Sequence, residues 1–194
     1  MRREHRPART IRVRTRAELF DWLDARELEI VRRHVAHTEI RSVRIAALVL
    51  NRLSNGMLYP IVAVLVLVYF GRPMVAVIGV STGSMLVAHL LYPGIKQYCA
   101  RARPFERDPA IISLIKPLDR HSFPSGHAMT ATAAFLPLST AAPQLAPLAI
   151  VGILSIGWAR LAAGHHYLSD VLVGALLGSA VAGSGMLWML HVAN

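Results

Sequence analysis

Long stretches without charged residues dominate the chain after residue 52. Residues 53–71 carry no charged side chain, and residues 73–95 contain no Asp, Glu, Lys or Arg. A third stretch, residues 128–159, is too long for one membrane span of about 20 residues and is interrupted by prolines. Residues 171–190 form the last stretch. The pattern predicts an all-α, polytopic membrane helical bundle with about five transmembrane helices, near residues 53–71, 74–93, 125–141, 146–163 and 168–190.

The N-terminal part of the chain follows a different pattern. Residues 1–16 contain seven Arg, and no apolar segment of the kind found in a secretory signal follows them. In residues 18–37 apolar side chains recur at roughly helical spacing among many charges, which predicts an amphipathic helix on the membrane surface. We expect two parts: a basic tail with an interfacial helix in residues 1–44, and a transmembrane domain in residues 45–194.

Composition supports a membrane protein and narrows the possible partners. Hydrophobic residues make up 54% of the 194 residues and charged residues only 16%, against about 25% in soluble domains. A large soluble helical bundle is the weaker alternative. The Arg-rich tail favours anionic lipids, and without an aromatic platform or a helix-turn-helix pattern we expect no nucleic-acid binding. Cys99 is the only cysteine, so neither an internal disulfide nor a cysteine-based metal site is expected.

Small residues are frequent in the last predicted span. Gly174 and Gly178 form a GxxxG pair, which permits close approach of another helix. We expect that helix to belong to the same chain, and a homodimer is the alternative.

Polar residues gather at three places, each at the end of a predicted span. Because charges close to a membrane are energetically expensive, each retained charge is a candidate functional residue. The three segments are residues 96–104, 122–127 and 160–170.

The cations of these segments suit the binding of a phosphoryl group. Lys96 and Arg103 are seven residues apart, so a continuous helix would place both on one face, and Arg160 adds a third cation. Backbone N–H groups near Ser125 and Gly126, at a helix start, would add donors for an anion. Together they match the charge on the three equatorial oxygens of a phosphoryl group in transfer.

Two histidines and a carboxylate complete the set. Asp170 opens the last apolar helix and His166 precedes it by four residues, so helical geometry reaching that far back would place both on one face. The carboxylate would hold His166 in one tautomer and leave its other nitrogen free to attack phosphorus. His165 would point elsewhere. A second, protonated histidine would supply a proton to the leaving oxygen. We expect no metal and no cofactor, because the fixed cations supply the electrostatic stabilisation.

The order and spacing of these residues closely resemble the type 2 phosphatidic acid phosphatase family, also called lipid phosphate phosphatases. The resemblance covers about residues 50–190. One departure is Ala159, where the family usually has Ser; it removes a hydroxyl near the phosphate but no proton-transfer group. The family motifs are K-x6-R-P, P-S-G-H and S-R-x5-H-x3-D, and the chain matches them with Lys96, Arg103 and Pro104, then Pro124, Ser125, Gly126 and His127, then Arg160, His166 and Asp170.

The resemblance implies a role for each of these residues. His166 is the implied nucleophile, which forms a phosphohistidine, and Asp170 is implied to orient it. His127 is implied to protonate the leaving lipid oxygen and then to activate water. Vanadate-dependent haloperoxidases share the motifs, but they are soluble, so the predicted spans argue against that activity. The residues implied to hold the phosphate are Lys96, Arg103, Ser125, Gly126 and Arg160.

The function implied by the resemblance is that of an integral membrane lipid phosphatase. It would hydrolyse, without a metal, a lipid phosphate monoester or the terminal phosphate of a lipid diphosphate. Candidate substrates are phosphatidate, phosphatidylglycerophosphate, a polyprenyl phosphate or diphosphate, and a polyprenyl-linked sugar phosphate. The alternatives are phosphotransfer from lipid to lipid, which shares the first half-reaction, and a non-catalytic lipid-binding protein, against which the intact set of residues argues.

Basic residues predict the sidedness of the site. With a cytoplasmic N-terminus, five spans place residues 94–123 and the turn with Arg160 in the cytoplasm. All Lys and Arg residues except Arg72 then lie inside, as the positive-inside tendency favours. We expect a multi-pass protein of the inner membrane with a cytoplasm-facing site. Entry of residues 43–50 into the bilayer would reverse this orientation, and many bacterial members of the family act on the outer face.

Overall fold

A computed structural model describes residues 15–193 as a bundle of α-helices, and this part of the chain contains no β-strand. The predicted all-α class is therefore confirmed, while the basic tail before Thr15 lies outside the described residues. Short 3-10 turns, His37–Glu39 and Pro143–Leu145, join α1 to α2 and α6 to α7. The helices are α1 (Arg16–Ala36), α2 (Arg41–Leu53), α3 (Leu58–Phe70), α4 (Met74–Cys99), α5 (Pro104–Arg107), α6 (Gly126–Ala141), α7 (Ala146–Ala162) and α8 (Leu168–Ala193).

Helix α6 lies at the centre of the bundle, packed against α4, α7 and α8. Its many Ala and Thr side chains are small, so neighbouring backbones come close. A Cβ on Gly174 would lie 2.5 Å from the Ser125 carbonyl oxygen, and one on Gly178 would clash with the Met129 carbonyl. The GxxxG pair thus packs on α6 of the same chain, as the sequence predicts.

The number of membrane spans is not confirmed as five. By length and composition three segments can cross a membrane: Met74–Arg107, Pro143–Ala162 and Leu168–His191. Helices α2 and α3, bent by 78° at their junction, would together make a fourth. Helix α6 has 16 residues, which at 1.5 Å per residue covers about 24 Å, less than the hydrocarbon thickness of about 30 Å. Helix α6 is surrounded by α4, α7 and α8, so most of its side chains are buried by these helices.

Helix α1 is present where the amphipathic pattern predicts it. It begins with a capping box in which the Thr15 hydroxyl accepts from the backbone N–H of Glu18 and the Glu18 carboxylate accepts from that of Thr15. Val31 is fully buried and packs with Ile111 and Tyr167, so α1 contacts the same end of the bundle as the turn between α7 and α8. Its position on the membrane surface stays a prediction.

The three polar segments lie together because of the helix directions. Helices α4 and α7 end, and α6 and α8 begin, at the same end of the bundle. One expectation is wrong: α4 stops at Cys99 because Ala100 adopts a left-handed conformation with φ 50°. Lys96 and Arg103 therefore do not share a helix face, and they converge through a turn of the chain.

Candidate active site

A cavity of about 330 Å³ lies between α3, α4, α6 and the turn after α2. Charged and polar groups occupy one end, and apolar side chains such as Val62, Ile78 and Met85 line the rest. This division suits a ligand with an anionic end and an apolar end. The predicted site residues that line the cavity are Lys96, Arg103, Gly126, His127, Arg160 and His166.

The turn that follows α7 is built around Gly164, whose φ of 70° is left-handed. The Gly164 N–H donates to the Leu161 carbonyl at 2.9 Å and the His165 N–H to the Arg160 carbonyl at 3.1 Å, the two bonds of a Schellman motif. A Cβ at Gly164 would lie 2.7 Å from Ile111 Cγ2, so glycine is needed for space as well. The motif places the side chains of Arg160 and His165 next to each other.

His165 has both ring nitrogens engaged and points away from the reacting position, as expected. Arg160 Nη2 donates to Nδ1 at 2.6 Å, so Nε2 carries the proton and faces the Ile115 carbonyl and Ser113 Oγ, each at 2.8 Å. Burial and the Arg160 charge lower the pKa of His165 to about 3, so the ring is neutral. A ring in this position has no free nitrogen for attack.

His166 lies beside Asp170, although not through helical geometry. Helix α8 begins at Leu168, where the predicted span begins, so helical geometry does not reach back to His166. Instead, Asp170 Oδ2 accepts from the backbone N–H of Tyr167 at 2.9 Å and lies 3.5 Å from His166 Nδ1. That distance is long for a hydrogen bond, and catalytic contacts commonly shorten when substrate binds. Nδ1 faces the carboxylate, which leaves Nε2 for the cavity.

The neutral state of His166 follows from its surroundings. The side chain is fully buried, and this burial, together with the Arg160, Lys96 and Arg103 charges, lowers its pKa well below the ordinary 6.5. A neutral imidazole has a lone pair available for attack. The ring is therefore in the protonation state that a nucleophile requires at neutral pH.

Lys96 and Arg103 converge on one carboxylate that the sequence analysis missed. Lys96 Nζ and Arg103 Nη2 each lie 2.7 Å from Asp119 Oδ1. Arg103 Nη1 also donates to the His165 carbonyl at 2.9 Å. Asp119 lies in the connection between α5 and α6, where no local sequence pattern marks it as part of a site.

Two arginine Nε–H groups are buried without a partner. Arg160 donates through Nη1 to Asn51, and its Nε, like that of Arg103, finds no hydrogen-bond acceptor among the described residues. Buried donors without an acceptor are unusual and costly. Both arginines line the cavity.

The start of α6 departs in part from expectation. The Ser125 hydroxyl caps the helix by accepting from the Ala128 N–H at 3.4 Å, and the Ser125 N–H donates to the Asp170 carbonyl at 2.9 Å. The Ser125 N–H is therefore not available to an anion, whereas Gly126 lines the cavity. A Cβ on Gly126 would lie 3.4 Å from the Tyr92 ring.

His127 lies across the cavity from the α7–α8 turn and pairs with Asn55, another residue that the sequence analysis missed. His127 Nε2 is 2.7 Å from Asn55 Oδ1. With the amide oxygen accepting, the Nε2–H of His127 donates to Asn55. Asn51, one helical turn before Asn55, donates to the carbonyl of Ala159 at 3.0 Å, the residue that replaces the usual Ser. The sequence did contain a signal for these residues, because Asn51 and Asn55 are four residues apart and directly precede an apolar segment.

Arg101 is the remaining residue that the sequence analysis left out of the site. Its Nη1 lies 2.6 Å from Asp170 Oδ1, and its side chain is fully buried. The signal was present, because a charge at the end of a membrane span is expensive. Within residues 15–193 no cluster of His, Cys, Asp and Glu has an arrangement that would hold a metal ion.

The fold and the site define a helical membrane protein whose cavity is cationic at one end and apolar along the rest. The chain belongs to the PAP2 superfamily, whose family model matches residues 75–192. The matched region contains all three motifs, and α1, α2 and α3 precede it.

Two curated relatives act on polyprenyl compounds, according to their names. The chain is 37% identical over 102 residues to the decaprenylphosphoryl-5-phosphoribose phosphatase of Mycobacterium tuberculosis, covering 53% of this chain and 55% of the relative. It is 35% identical over 98 residues to the undecaprenyl-diphosphatase of Sulfolobus acidocaldarius, covering 50% and 47%. The chain thus spans about half the length of the curated relatives it matches.

A solved structure shares the fold. The crystal structure of the first transmembrane PAP2 type phosphatidylglycerolphosphate phosphatase from Bacillus subtilis superimposes with a TM-score of 0.65 at 20% identity. The match covers 91% of this chain and 95% of that one. It therefore extends beyond the family-model match.

Proposed function

We propose that this protein is an integral membrane lipid phosphatase that works without a metal through a phosphohistidine on His166. The observation that carries the proposal is the convergence of Lys96, Arg103 and Arg160 with a neutral His166 at one end of a half-apolar cavity. Such donors stabilise the charge of a phosphoryl group in transfer, and loss of one donor costs about 10²–10³ in rate in comparable sites.

In the first step His166 Nε2 attacks phosphorus and the bond from phosphorus to the lipid oxygen breaks. Asp170 holds Nδ1–H and stabilises the positive charge that develops on the ring. We propose that the phosphate charge stabilises His127 as an imidazolium, which gives its proton to the leaving lipid oxygen. The lipid then departs as an alcohol or, from a diphosphate, as a lipid phosphate. The phosphoryl oxygens are held by Lys96, Arg103, Arg160 and the backbone at Gly126.

In the second step water attacks the phosphohistidine. His127, now neutral, accepts a proton from the water, and the bond from phosphorus to Nε2 breaks. The products are inorganic phosphate and the original neutral His166. Both histidines return to their starting states, so no co-reactant other than water is consumed.

We propose a polyprenyl-linked phosphate or diphosphate as the substrate class. The names of both relatives contain a polyprenyl group, and the apolar part of the cavity gives an isoprenoid chain a place beside the cationic end. Phosphatidate and phosphatidylglycerophosphate are the competing substrates.

The test is phosphate release from purified protein in detergent with a panel of these lipids. We expect turnover of the polyprenyl compounds, activity that survives EDTA, and inhibition by orthovanadate, which mimics five-coordinate phosphorus. The matched control is His166→Gln protein purified in the same way. Activity that disappears with chelation and returns with Mg²⁺ would contradict the mechanism, and turnover of diacyl lipids alone would contradict the substrate class.

We propose further that the protein lies in the inner membrane with the site and the N-terminus facing the cytoplasm. Helix α1 contacts the site end of the bundle, so α1 and the site share one side, on which the basic residues of α1 and of residues 96–120 lie. We propose that anionic lipids on that side bind the basic tail. Single cysteines at Ala110, on the site end, and Arg72, in the exposed turn between α3 and α4, test this after Cys99→Ser. In intact cells an impermeant maleimide should label position 72 and spare position 110. The reverse result would place the site outside.

Oligomeric state is a separate part of the proposal. We expect the monomer to contain the complete site, because all proposed catalytic residues lie in one chain. Cross-linking in native membranes would detect the homodimer that the small-residue pattern leaves as an alternative.

A further inference from the structure

Arg101 occupies an unusual position among the charged residues of the site end. Its side chain is fully buried and does not line the cavity, so it is not placed to contact a phosphate. Its Nη1 donates to Asp170 Oδ1 at 2.6 Å and to Ser169 Oγ at 2.7 Å. The guanidinium carbon also lies 4.0 Å from the centre of the Tyr167 ring. Arg101 therefore contacts Tyr167, just before α8, and Ser169 and Asp170 in the first turn of α8.

The two oxygens of Asp170 have different partners. Oδ1 accepts from Arg101, whereas Oδ2 accepts from the Tyr167 N–H and faces His166 Nδ1 at 3.5 Å. A carboxylate bound on both oxygens cannot rotate without breaking one of these contacts. Arg101 thus determines which oxygen is presented to the histidine, and it supplies the counter-charge of a fully buried carboxylate.

Helix α1 holds Arg101 from the opposite side. Asp24 Oδ1 accepts from Arg101 Nε at 2.9 Å, and Glu27 Oε2 accepts from Nη2 at 3.2 Å. The Phe20 ring lies 5.1 Å from the guanidinium carbon. These three residues lie on successive turns of one face of α1, which places an acidic and aromatic surface over the buried cation.

Glu27 also binds the start of α8 directly. Its Oε1 accepts from the Ser169 N–H at 3.1 Å and its Oε2 from the Ser169 hydroxyl at 2.8 Å. The first N–H groups of a helix have no partner within the helix, and a carboxylate there is favoured by the helix dipole. Helix α1 therefore binds both the cation behind Asp170 and the helix turn that carries Asp170.

We propose that Arg101 is a positioning residue that fixes the Asp170 carboxylate toward His166, and that α1, through Asp24 and Glu27, is part of the catalytic unit. The inference rests on the proposed phosphohistidine function. Helix α1 and its acids precede residues 75–192, the region that the family model matches, so the family match does not account for this contact.

A double-mutant cycle with Asp170→Asn tests the positioning role. We expect Arg101→Met to lower kcat about 100-fold, with KM changed less than about threefold, because the phosphate cations remain in place. Arg101→Lys should restore part of the rate. In the Asp170→Asn background Arg101→Met should have little further effect, less than about threefold. Multiplicative losses, or a loss confined to KM, would overturn the proposal.

The contribution of α1 has its own matched control. The Asp24→Asn/Glu27→Gln double variant removes the charges with little change of shape, and we expect kcat to fall about tenfold. Glu29→Gln removes an exposed α1 ion pair with Arg33, 3.0 Å long, that touches none of the site residues, and should leave kcat within about twofold. Equal effects of the two changes would show that α1 acts only by general stabilisation.

A readout without turnover separates this inference from the proposed function. The ¹⁵N shifts of His166 in histidine-labelled protein report which nitrogen carries the proton. We expect the Nδ1–H tautomer in wild type and a mixture in Arg101→Met, with Glu29→Gln unchanged. An unchanged tautomer in Arg101→Met would refute the inference. A wild type with the expected tautomer but no phosphate release from any lipid would instead refute the proposed function.

Discussion

Two sides of the cavity use a carboxylate in opposite ways. On the nucleophile side, formed by His166, Asp170 and Arg101, the carboxylate is fully buried at a helix start. On the cation side, formed by Lys96, Arg103 and Asp119, the Asp119 side chain is 36% exposed and lies in a connection between helices. The first carboxylate is fixed by contacts from two directions. The second is partly exposed, so another anion can take its place beside the two buried cations.

The difference indicates what each side does when a phosphate arrives. A phosphate cannot replace Asp170, because Asp170 lies behind His166 and does not line the cavity. Asp119, in contrast, binds the very donors of Lys96 and Arg103 that phosphate oxygens need. The nucleophile side is thus preorganised, whereas the cation side carries a counter-ion that we expect to exchange with substrate.

Loss of the nucleophile should be the largest effect. We expect His166→Ala to lower kcat by at least about 10⁴, because no other ring nitrogen reaches the phosphoryl position. The matched control is His165→Gln. The His165 ring accepts a hydrogen bond from Arg160 but does not line the cavity, so we expect this change to lower kcat about tenfold or less. Protein incubated with ³²P-labelled substrate and denatured in alkaline SDS, where the P–N bond of a phosphohistidine survives, should carry label in His165→Gln and none in His166→Ala. Label retained by His166→Ala would exchange the two assignments.

Loss of His127 should be severe for poor leaving groups and mild for good ones. We expect His127→Ala to slow hydrolysis of an alkyl phosphate by about 10²–10⁴, the usual contribution of a general acid. Its effect on formation of the phosphoenzyme from p-nitrophenyl phosphate should be much smaller, because nitrophenolate leaves without a proton. Single-turnover release of nitrophenolate measures this step. Equal losses for both substrates would assign His127 to binding.

Removal of the Asp119 charge should strengthen binding of an anion. Asp119→Asn leaves Lys96 and Arg103 without a competing carboxylate, and we expect the inhibition constant of inorganic phosphate to fall about threefold to tenfold, the scale of a partly exposed ion pair. Glu106→Gln, on a neighbouring carboxylate that binds the backbone of Arg103, is the matched control. Weaker phosphate binding in Asp119→Asn would mean that the carboxylate organises the cations and does not compete with phosphate.

Acid should lower the stability of the folded protein, because the buried ring of His165 would have to take up a proton. Its Nδ1 accepts from Arg160 and its carbonyl from Arg103, and its pKa is lowered from 6.5 to about 3. Below pH 6.5 the histidine of the unfolded chain binds a proton, whereas the folded ring stays neutral. The contribution of this group to the free energy of unfolding is therefore complete above pH 6.5 and decreases toward pH 3. The slope from this group is about 1.4 kcal/mol per pH unit at its steepest. Thermal unfolding in detergent should show the fall, and His165→Gln should reduce it. A midpoint that is constant over this range would contradict the buried neutral ring.

The sequence determined the helices and the chemistry of the site. Uncharged stretches long enough for helices are a local property, so α4, α6, α7 and α8 begin close to their predicted positions. Charges are rare near membrane spans, and the motif residues stand out against that background. The alternating direction of successive spans also places the ends of α4 and α7 beside the starts of α6 and α8. Local patterns were therefore sufficient to select Lys96, Arg103, His127, Arg160 and His166, all of which line the cavity.

Only the tertiary structure decided how those residues are supported. Asp119 and Arg101 have partners up to 77 residues away, and no periodicity of the chain encodes such a contact. The sequence analysis also assumed helical geometry at both ends of the site, whereas α4 stops at Ala100 and α8 starts after His166. Turns bring the side chains together there, and turn geometry depends on packing against distant segments. Contacts between segments distant in the chain form only when the bundle packs, and in this protein they determine which carboxylate is fixed and which is exchangeable.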